Sequence, residues 1–317
     1  MKKLLFLPLL AMVVVVAAAV WFYLNALPVS GTANFSYFVI NKGSSVSVIG
    51  DKLQSSGFIK SALAFKLYIR FTGQTAKLEP GEFRLTPSFS LFQMVDTLSK
   101  GPVELWVTIP EGLRREEIAA KFEIGLDRDS AFANEFLQDS KGDEGYLFPD
   151  TYLFPMDASP AAIVKKMTDT FATKTQGLTP HGSNLTFAQS VILASMLERE
   201  TKTDTERPIV AGIIINRINL GMPLQVDASV QYAVGTSSDW WPILTLEDLK
   251  VKSPYNTYLN QGLPPAPIAN SGLSSLNAAF NPAQTDYLYY IHDPSGQIHY
   301  AKTLEEQNAN IAKYLGK

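Results

Sequence analysis

One glutamate past the middle of the chain, Glu200, has the type and position for acid–base chemistry. Within 187–201, Leu193, Met196, Leu197 and Glu200 follow the i, i+3, i+4, i+7 rule of one helix face, so Glu200 extends an apolar stripe. Such a face disfavours the charged carboxylate, and the higher pKa that results suits a general acid holding its proton near neutral pH. Glu198 falls roughly 200° away at 100° per residue, so the two carboxylates are not expected to act as a pair. Spacing alone leaves a plainer fate open to Glu200: a helix-end residue in solvent, or one paired with Arg207 or Lys202.

Asn216 shares a face with Ile209, Ile213 and Leu220, an amide among aliphatics whose simplest job is to cap a neighbouring loop. Pro223-Leu224-Gln225-Val226-Asp227 reads as a short extended piece, with Asp227 as N-cap of a helix over 228–234. The loops 253–258 and 262–268 are rich in tyrosine, amides and proline. Tyrosine faces stack on sugar rings, amides hydrogen-bond hydroxyls, and proline reduces the ordering entropy lost on binding. Ordinary turn chemistry explains the same prolines and glycines.

Other chemistries are poorly supplied. The chain has no cysteine, which removes disulfides and thiolate nucleophiles, and its histidines (His181, His292, His299) are scattered, so no metal centre is expected. No phosphate loop, G-x-S-x-G elbow or Ser-x-x-Lys is present. A net charge of −3 without a long basic run argues against a nucleic-acid partner.

The elements that must position these residues give an α+β pattern. A strand over 38–40 leads through a glycine turn into an amphipathic stretch ending at Leu53. Helices are predicted over 62–71, between Ser61 and Gly73, and over 91–98, opened by a Ser90/Gln93 capping box, with a strand at 82–85 between them. Ile40-x-x-Gly43 and Ile109-x-x-Gly112 each read strand, glycine turn, helix, an echo that marks two small modules. The aromatic, proline-punctuated run 144–155 lacks a regular period and is expected to line or cover something. A Thr186/Gln189 capping box opens the helix carrying Glu200, and the next helix, 206–220, has Pro208 in its first turn and Gly221 as its stop. A strand at 287–291 and a helix at 304–315 end the chain, with His292 and His299 expected as surface imidazoles beside a Pro294-Ser295-Gly296 turn.

At the N-terminus, 4–24 carries no charge and would be roughly 30 Å long as a helix, enough to cross a bilayer once. Lys2 and Lys3 precede it, which predicts a cytoplasmic tip, and Trp21-Phe22-Tyr23 reads as an interfacial belt. A signal peptide cleaved near Ala17-Ala18-Ala19 is the competing expectation.

Taken in order, the motifs resemble the YceG-like endolytic murein transglycosylases, the MltG family, over nearly the whole chain. The matching stretches are Glu144-Gly145-Tyr146-Leu147-Phe148-Pro149-Asp150-Thr151-Tyr152, Leu193-Ala194-Ser195-Met196-Leu197-Glu198-Arg199-Glu200-Thr201, Glu206-Arg207, Asn216-Arg217, Leu224-Gln225-Val226-Asp227, Tyr255-Asn256-Thr257-Tyr258 and Gly262-Leu263-Pro264-Pro265. Departures are Gln307-Asn308, where the family's tail usually has His-Asn, and Asn270-Ser271-Gly272, where it has Asn-Pro-Gly. The resemblance implies a transmembrane anchor over 1–24, a linker over 25–37, a LysM-like module over 38–101 and a catalytic domain of helices and short strands over 102–317. It implies a single-pass protein of the inner membrane with an extracytoplasmic catalytic domain. The family's catalytic glutamate, the second acid of Glu-x-Glu-Thr, falls on Glu200. The implied reaction is endolytic cleavage of the MurNAc-β-1,4-GlcNAc bond in nascent peptidoglycan strands, giving 1,6-anhydro ends without a cofactor. Gln225, Tyr255, Asn256 and Tyr258 are the implied substrate-binding residues, and penicillin-binding wall synthases the implied protein partners. A non-catalytic peptidoglycan-binding scaffold is the competing reading.

Overall fold

Serines open the helices of the N-terminal part of the chain. The structure, a computed structural model, describes residues 6–316, with side chains from Leu10 to Gly316. The chain divides into two units, one running to Leu105 and including Leu153–Ala158, the other made of Trp106–Tyr152 and the chain from Ser159 onward.

In the first unit, α1 (Phe6–Ala26) precedes β1 (Ser36–Ile40), α2 (Val46–Ser55), α3 (Ala62–Thr72), β2 (Gly81–Leu85) and α4 (Leu91–Ser99). Ser45, Ser61 and Ser90 each accept a first-turn N–H, and Ser90 and Gln93 form the reciprocal capping box. Gly73 ends α3 at φ 68°, a left-handed cap that glycine adopts without steric cost. β1 and β2 pair antiparallel, with Phe38 opposite Phe83. Their buried faces close on Leu53, Phe65, Ile69, Met94 and Leu98.

The anchor expected over 4–24 is not upheld: among the described residues no helix is long and apolar enough to cross a membrane. Met1–Leu5 lie outside the described residues. The physical reason lies at the helix's C-terminal end. Ala26 is buried in the core of the unit, and the Phe22 ring packs 6.4 Å from those of Tyr68 and Phe92. The aromatic run therefore includes a core contact where an interfacial belt was expected. The transmembrane, single-pass inner-membrane placement falls with the anchor.

β3 (Glu104–Thr108) and β4 (Thr151–Pro155) form a two-stranded sheet, and the chain changes unit within each of them. β4 corrects the expectation that 144–155 is irregular throughout. Tyr152 and Phe154 alternate inward as in a half-buried strand, while Leu147 and Phe148 just before them are core residues. Gly43 and Gly112, the echoed glycines, take φ of 81° and 80° between strand and helix.

The second unit continues with α5 (Arg115–Gly125), α6 (Ser130–Asp139), α7 (Pro160–Lys174), α8 (Phe187–Glu200), α9 (Arg207–Asn219), α10 (Asp227–Val234), α11 (Leu273–Phe280), β5 (Tyr289–His292), β6 (Ile298–Ala301) and α12 (Leu304–Leu315). α8 is the central helix. Val191, Leu193, Met196 and Leu197 pack with Val210, Ile214, Leu224, Val226, Leu276 and Phe280, and α11 lies against α8. β5 and β6 form the expected hairpin, with α12 packed against it. Its histidines are not surface imidazoles: His292 Nε2 meets the Glu206 carboxylate at 3.3 Å, and His299 stacks on Tyr314 at 3.6 Å while bonding Asp293 at 2.9 Å.

Candidate active site

Glu200 is the last residue of α8, a helix started by the reciprocal Thr186/Gln189 capping box. The helix stops because Thr201 turns extended, and the following turn is tied by the Glu206 carboxylate, which accepts the N–H groups of Lys202 and of Thr203, the latter at 2.7 Å. Glu200 therefore projects past the end of the apolar face into a cleft of about 420 Å³. Its Oε1 accepts the Ala228 N–H at 3.3 Å and its Oε2 the Tyr290 hydroxyl at 3.0 Å. Burial dominates its electrostatics and raises its pKa. The two donors and Arg199 oppose the rise, and the Asp227 carboxylate adds to it. Burial and the Glu200 charge also hold Tyr290 well above an ordinary phenol, so it remains a hydroxyl throughout.

The alternatives left open by spacing are not adopted. Arg207 is engaged with Asp204 and lies 3.5 Å from Glu198, and Glu198 accepts the Gly272 N–H at 2.9 Å. The two glutamates of α8 thus serve different sites, as their angular separation requires.

Three residues staple the walls of the cleft. Arg217 on α9 donates from Nε to Leu288 O at 2.7 Å and from Nη1 to Leu224 O at 2.8 Å, joining the start of β5 to the segment before α10. Asn216 donates to Thr285 O at 2.7 Å and Tyr287 O at 3.1 Å, the loop-capping job expected of an amide on an apolar face. Gln307 on α12 holds Tyr290 O at 3.2 Å. Between these staples the segment 224–228 alternates, with Leu224, Val226 and Ala228 buried and Gln225 and Asp227 exposed to the cleft. Gln225 takes φ 54°, a left-handed conformation that costs a non-glycine residue about 1 kcal/mol.

Of the residues expected to hold substrate, Gln225 and Tyr258 line this cleft with Glu200. Tyr255 and Asn256 are not among its lining. Tyr255 packs 4.9 Å from Tyr232, and the fully buried Asn256 donates to Leu249 O and Val251 O while accepting Tyr258 N–H at 2.9 Å. Asp227 is not the N-cap expected of it: Val226 holds that position without a side-chain bond, and the Asp227 carboxylate instead accepts the Tyr258 hydroxyl. Tyr290 and Asn308 also line the cleft, unforeseen, since nothing in a short tyrosine-rich strand or a terminal helix signals which way it folds back. Among the described residues no group of His, Asp and Glu side chains is arranged to hold a metal ion.

A profile of the YceG-like family matches residues 38–313. The chain belongs to the YceG-like family. The endolytic murein transglycosylase of Bacillus subtilis strain 168 is 34% identical to this YceG-like chain, over 87% of the chain and 84% of the relative. That of Streptococcus pneumoniae serotype 2 strain D39 is 29% identical over 87% of the chain but only 58% of its own length. The crystal structure of a YceG-like protein from Listeria monocytogenes matches with a TM-score of 0.54 at 28% identity, covering 88% of the chain and 99% of that structure.

A second buried carboxyl lies elsewhere in the YceG-like match. Glu144 accepts Asn270 Nδ2 at 2.7 Å, Arg115 N at 3.3 Å and the Tyr232 hydroxyl at 3.4 Å, and burial pushes it up to about 7. Asn270, in the departure from Asn-Pro-Gly, also accepts Leu147 N and donates to Leu113 O, so Glu144 ties three loops together.

Proposed function

We propose that this chain is an endolytic peptidoglycan lytic transglycosylase, with Glu200 as general acid and then general base. The observation that carries the reading is a carboxyl group raised in pKa by burial, gripped by two donors, and open to a cleft lined with tyrosines and amides. Membership of a family whose characterised relatives bear that activity supports it. The Ala228 N–H makes Oε1 the acceptor, which leaves Oε2 to carry the proton, and a hydroxyl such as Tyr290's can bond Oε2 in either protonation state.

The Glu200 proton passes to the glycosidic oxygen as the C1–O bond of MurNAc breaks, and the bonding pair leaves with the GlcNAc 4-oxygen. The MurNAc 6-oxygen then bonds to C1, and its proton returns to the Glu200 carboxylate. Protons and electrons balance without a cofactor, and burial favours the protonated start. Gln225 and Tyr258 serve as sugar contacts in this scheme, Asn256 fixes the loop that presents Tyr258, and Tyr255 lies beyond the reacting bond. The strand–helix–helix–strand unit β1-α2-α3-β2 is assigned as a LysM-like glycan holder, and penicillin-binding synthases, which supply glycan strands, as partners.

Mass spectrometry of digested glycan strands tests the reaction. Products ending in 1,6-anhydro-MurNAc, abolished by Glu200→Gln, are expected. Ordinary reducing ends would point to hydrolysis, and cutting by the Gln variant would remove Glu200 from the chemistry. A scaffold would complement a deletion strain equally well with either protein.

A further inference from the structure

Asp227 has the position of a catalytic group and lacks the ordinary structural job of an aspartate at a helix start. It occupies the first position of α10, yet no side-chain bond caps that helix. The alternation of 224–228, enforced by the left-handed Gln225 and the core burial of Leu224 and Val226, turns it outward into the cleft that Glu200 lines. The very next residue, Ala228, gives its N–H to Glu200, so the backbone that carries Asp227 is hydrogen-bonded to the acid. Its carboxylate accepts the Tyr258 hydroxyl, which orients it as Tyr290 orients Glu200. The helix start favours negative charge there. Each carboxyl group in the cleft thus has its own tyrosine.

We infer that Asp227 is a second catalytic carboxylate, which stabilises the positive charge developing at the anomeric carbon while Glu200 alone transfers the proton. This rests on the transglycosylase reading and deepens it. Cleavage of a glycosidic bond builds oxocarbenium character at C1, and an anion held in place by a hydrogen bond on the cleft wall stabilises that charge without having to reorient as it develops. Asp227 gains and loses no proton and forms no bond in the cycle. Its charge has a second effect, since it raises the proton affinity of Glu200 against the opposing pull of Arg199 on α8, Tyr290 on β5 and the Ala228 N–H. Arg217 on α9, Tyr258 and Tyr289 on β5 complete the titratable groups around the cleft.

The test is the pH dependence of cutting purified glycan strands by wild type, Asp227→Asn, Tyr258→Phe and Glu200→Gln, with folding checked by circular dichroism. Asp227→Asn is expected to lower kcat about 100-fold while KM stays within about 3-fold of wild type. Its high-pH limb, where Glu200 loses its proton, should move to lower pH by on the order of one unit, a displacement that a purely structural aspartate would not cause. Tyr258→Phe leaves the charge but frees it, and should cost kcat about 10-fold. If the Asn variant fails to fold, the Phe variant decides. Unchanged kcat and an unmoved limb in the folded variants would overturn the inference while leaving the transglycosylase reading intact. Failure of wild type to cut, or cutting by Glu200→Gln, would bring down that reading and this inference together.

Discussion

Glu144 and Glu200 are both carboxyl groups raised in pKa by burial, and both are held by a tyrosine hydroxyl and a backbone N–H. Their surroundings part them. Glu144 is sealed among Arg115, Tyr232 and Asn270, whereas Glu200 opens on a cleft with Gln225, Asp227 and Tyr258. A raised pKa marks both and distinguishes neither; access for a substrate oxygen is what separates a structural knot from an acid that can deliver its proton.

The widest separation between the two should come from matched Gln variants. Glu200→Gln is expected to lower kcat by about 10²–10⁴ with little change in stability, and Glu144→Gln to keep activity within about 3-fold, read from anhydro-product formation. Comparable losses in both would erase the distinction.

Stability against pH separates them next. With its folded pKa raised from 4.5 to about 7, Glu144 keeps its proton in the folded state across a window where the unfolded chain has lost it. Its contribution is therefore fully present below pH 4.5 and is lost as pH rises to about 7, at a cost on the order of 3 kcal/mol. Denaturant unfolding at pH 5 and pH 8 should show that decline in wild type and a flatter response in Glu144→Gln.

A smaller effect probes the grip on the acid. Tyr290→Phe removes a donor that favours the Glu200 carboxylate, so the high-pH limb of kcat should move upward, with a loss of about 10-fold at the optimum. Downward movement would mean that Tyr290 acts otherwise. The smallest effect is expected at Gln225→Gly, where relief of the left-handed strain against glycine's greater chain entropy should stabilise the fold by about 0.5 kcal/mol or less. KM should rise with the loss of the amide, as steady-state kinetics would show.

Legibility in the sequence followed how local each cause was. The Thr186/Gln189 box and the i, i+3, i+4, i+7 stripe act within a few turns, and both α8 and the position of Glu200 on it could be read from them. Asn216 could be read too, because a half-buried amide among aliphatic residues must find carbonyls whatever the fold. Asp227 was misread because N-capping is the default for an aspartate before a helix, and only the backbone turn at Gln225 points it elsewhere. The hairpin histidines were misread because their partners, Glu206 and Tyr314, come from α9's start and α12.

The N-terminus gives the same lesson from the other side. Hydropathy over 4–24 is a property of composition, but whether Phe22 meets lipid or Tyr68 and Phe92 depends on segments more than 40 residues away. By itself the sequence determined the helices opened by the Ser90/Gln93 and Thr186/Gln189 capping boxes, the family, and a carboxyl group at the end of an apolar stripe, because periodicity, capping and motif order are written in neighbouring residues. The tertiary structure alone decided that Tyr290, Ala228 and Asp227 gather around that carboxyl group and that Glu144 is sealed. Those outcomes depend on contacts between residues 28 to 126 positions apart, which no local pattern encodes.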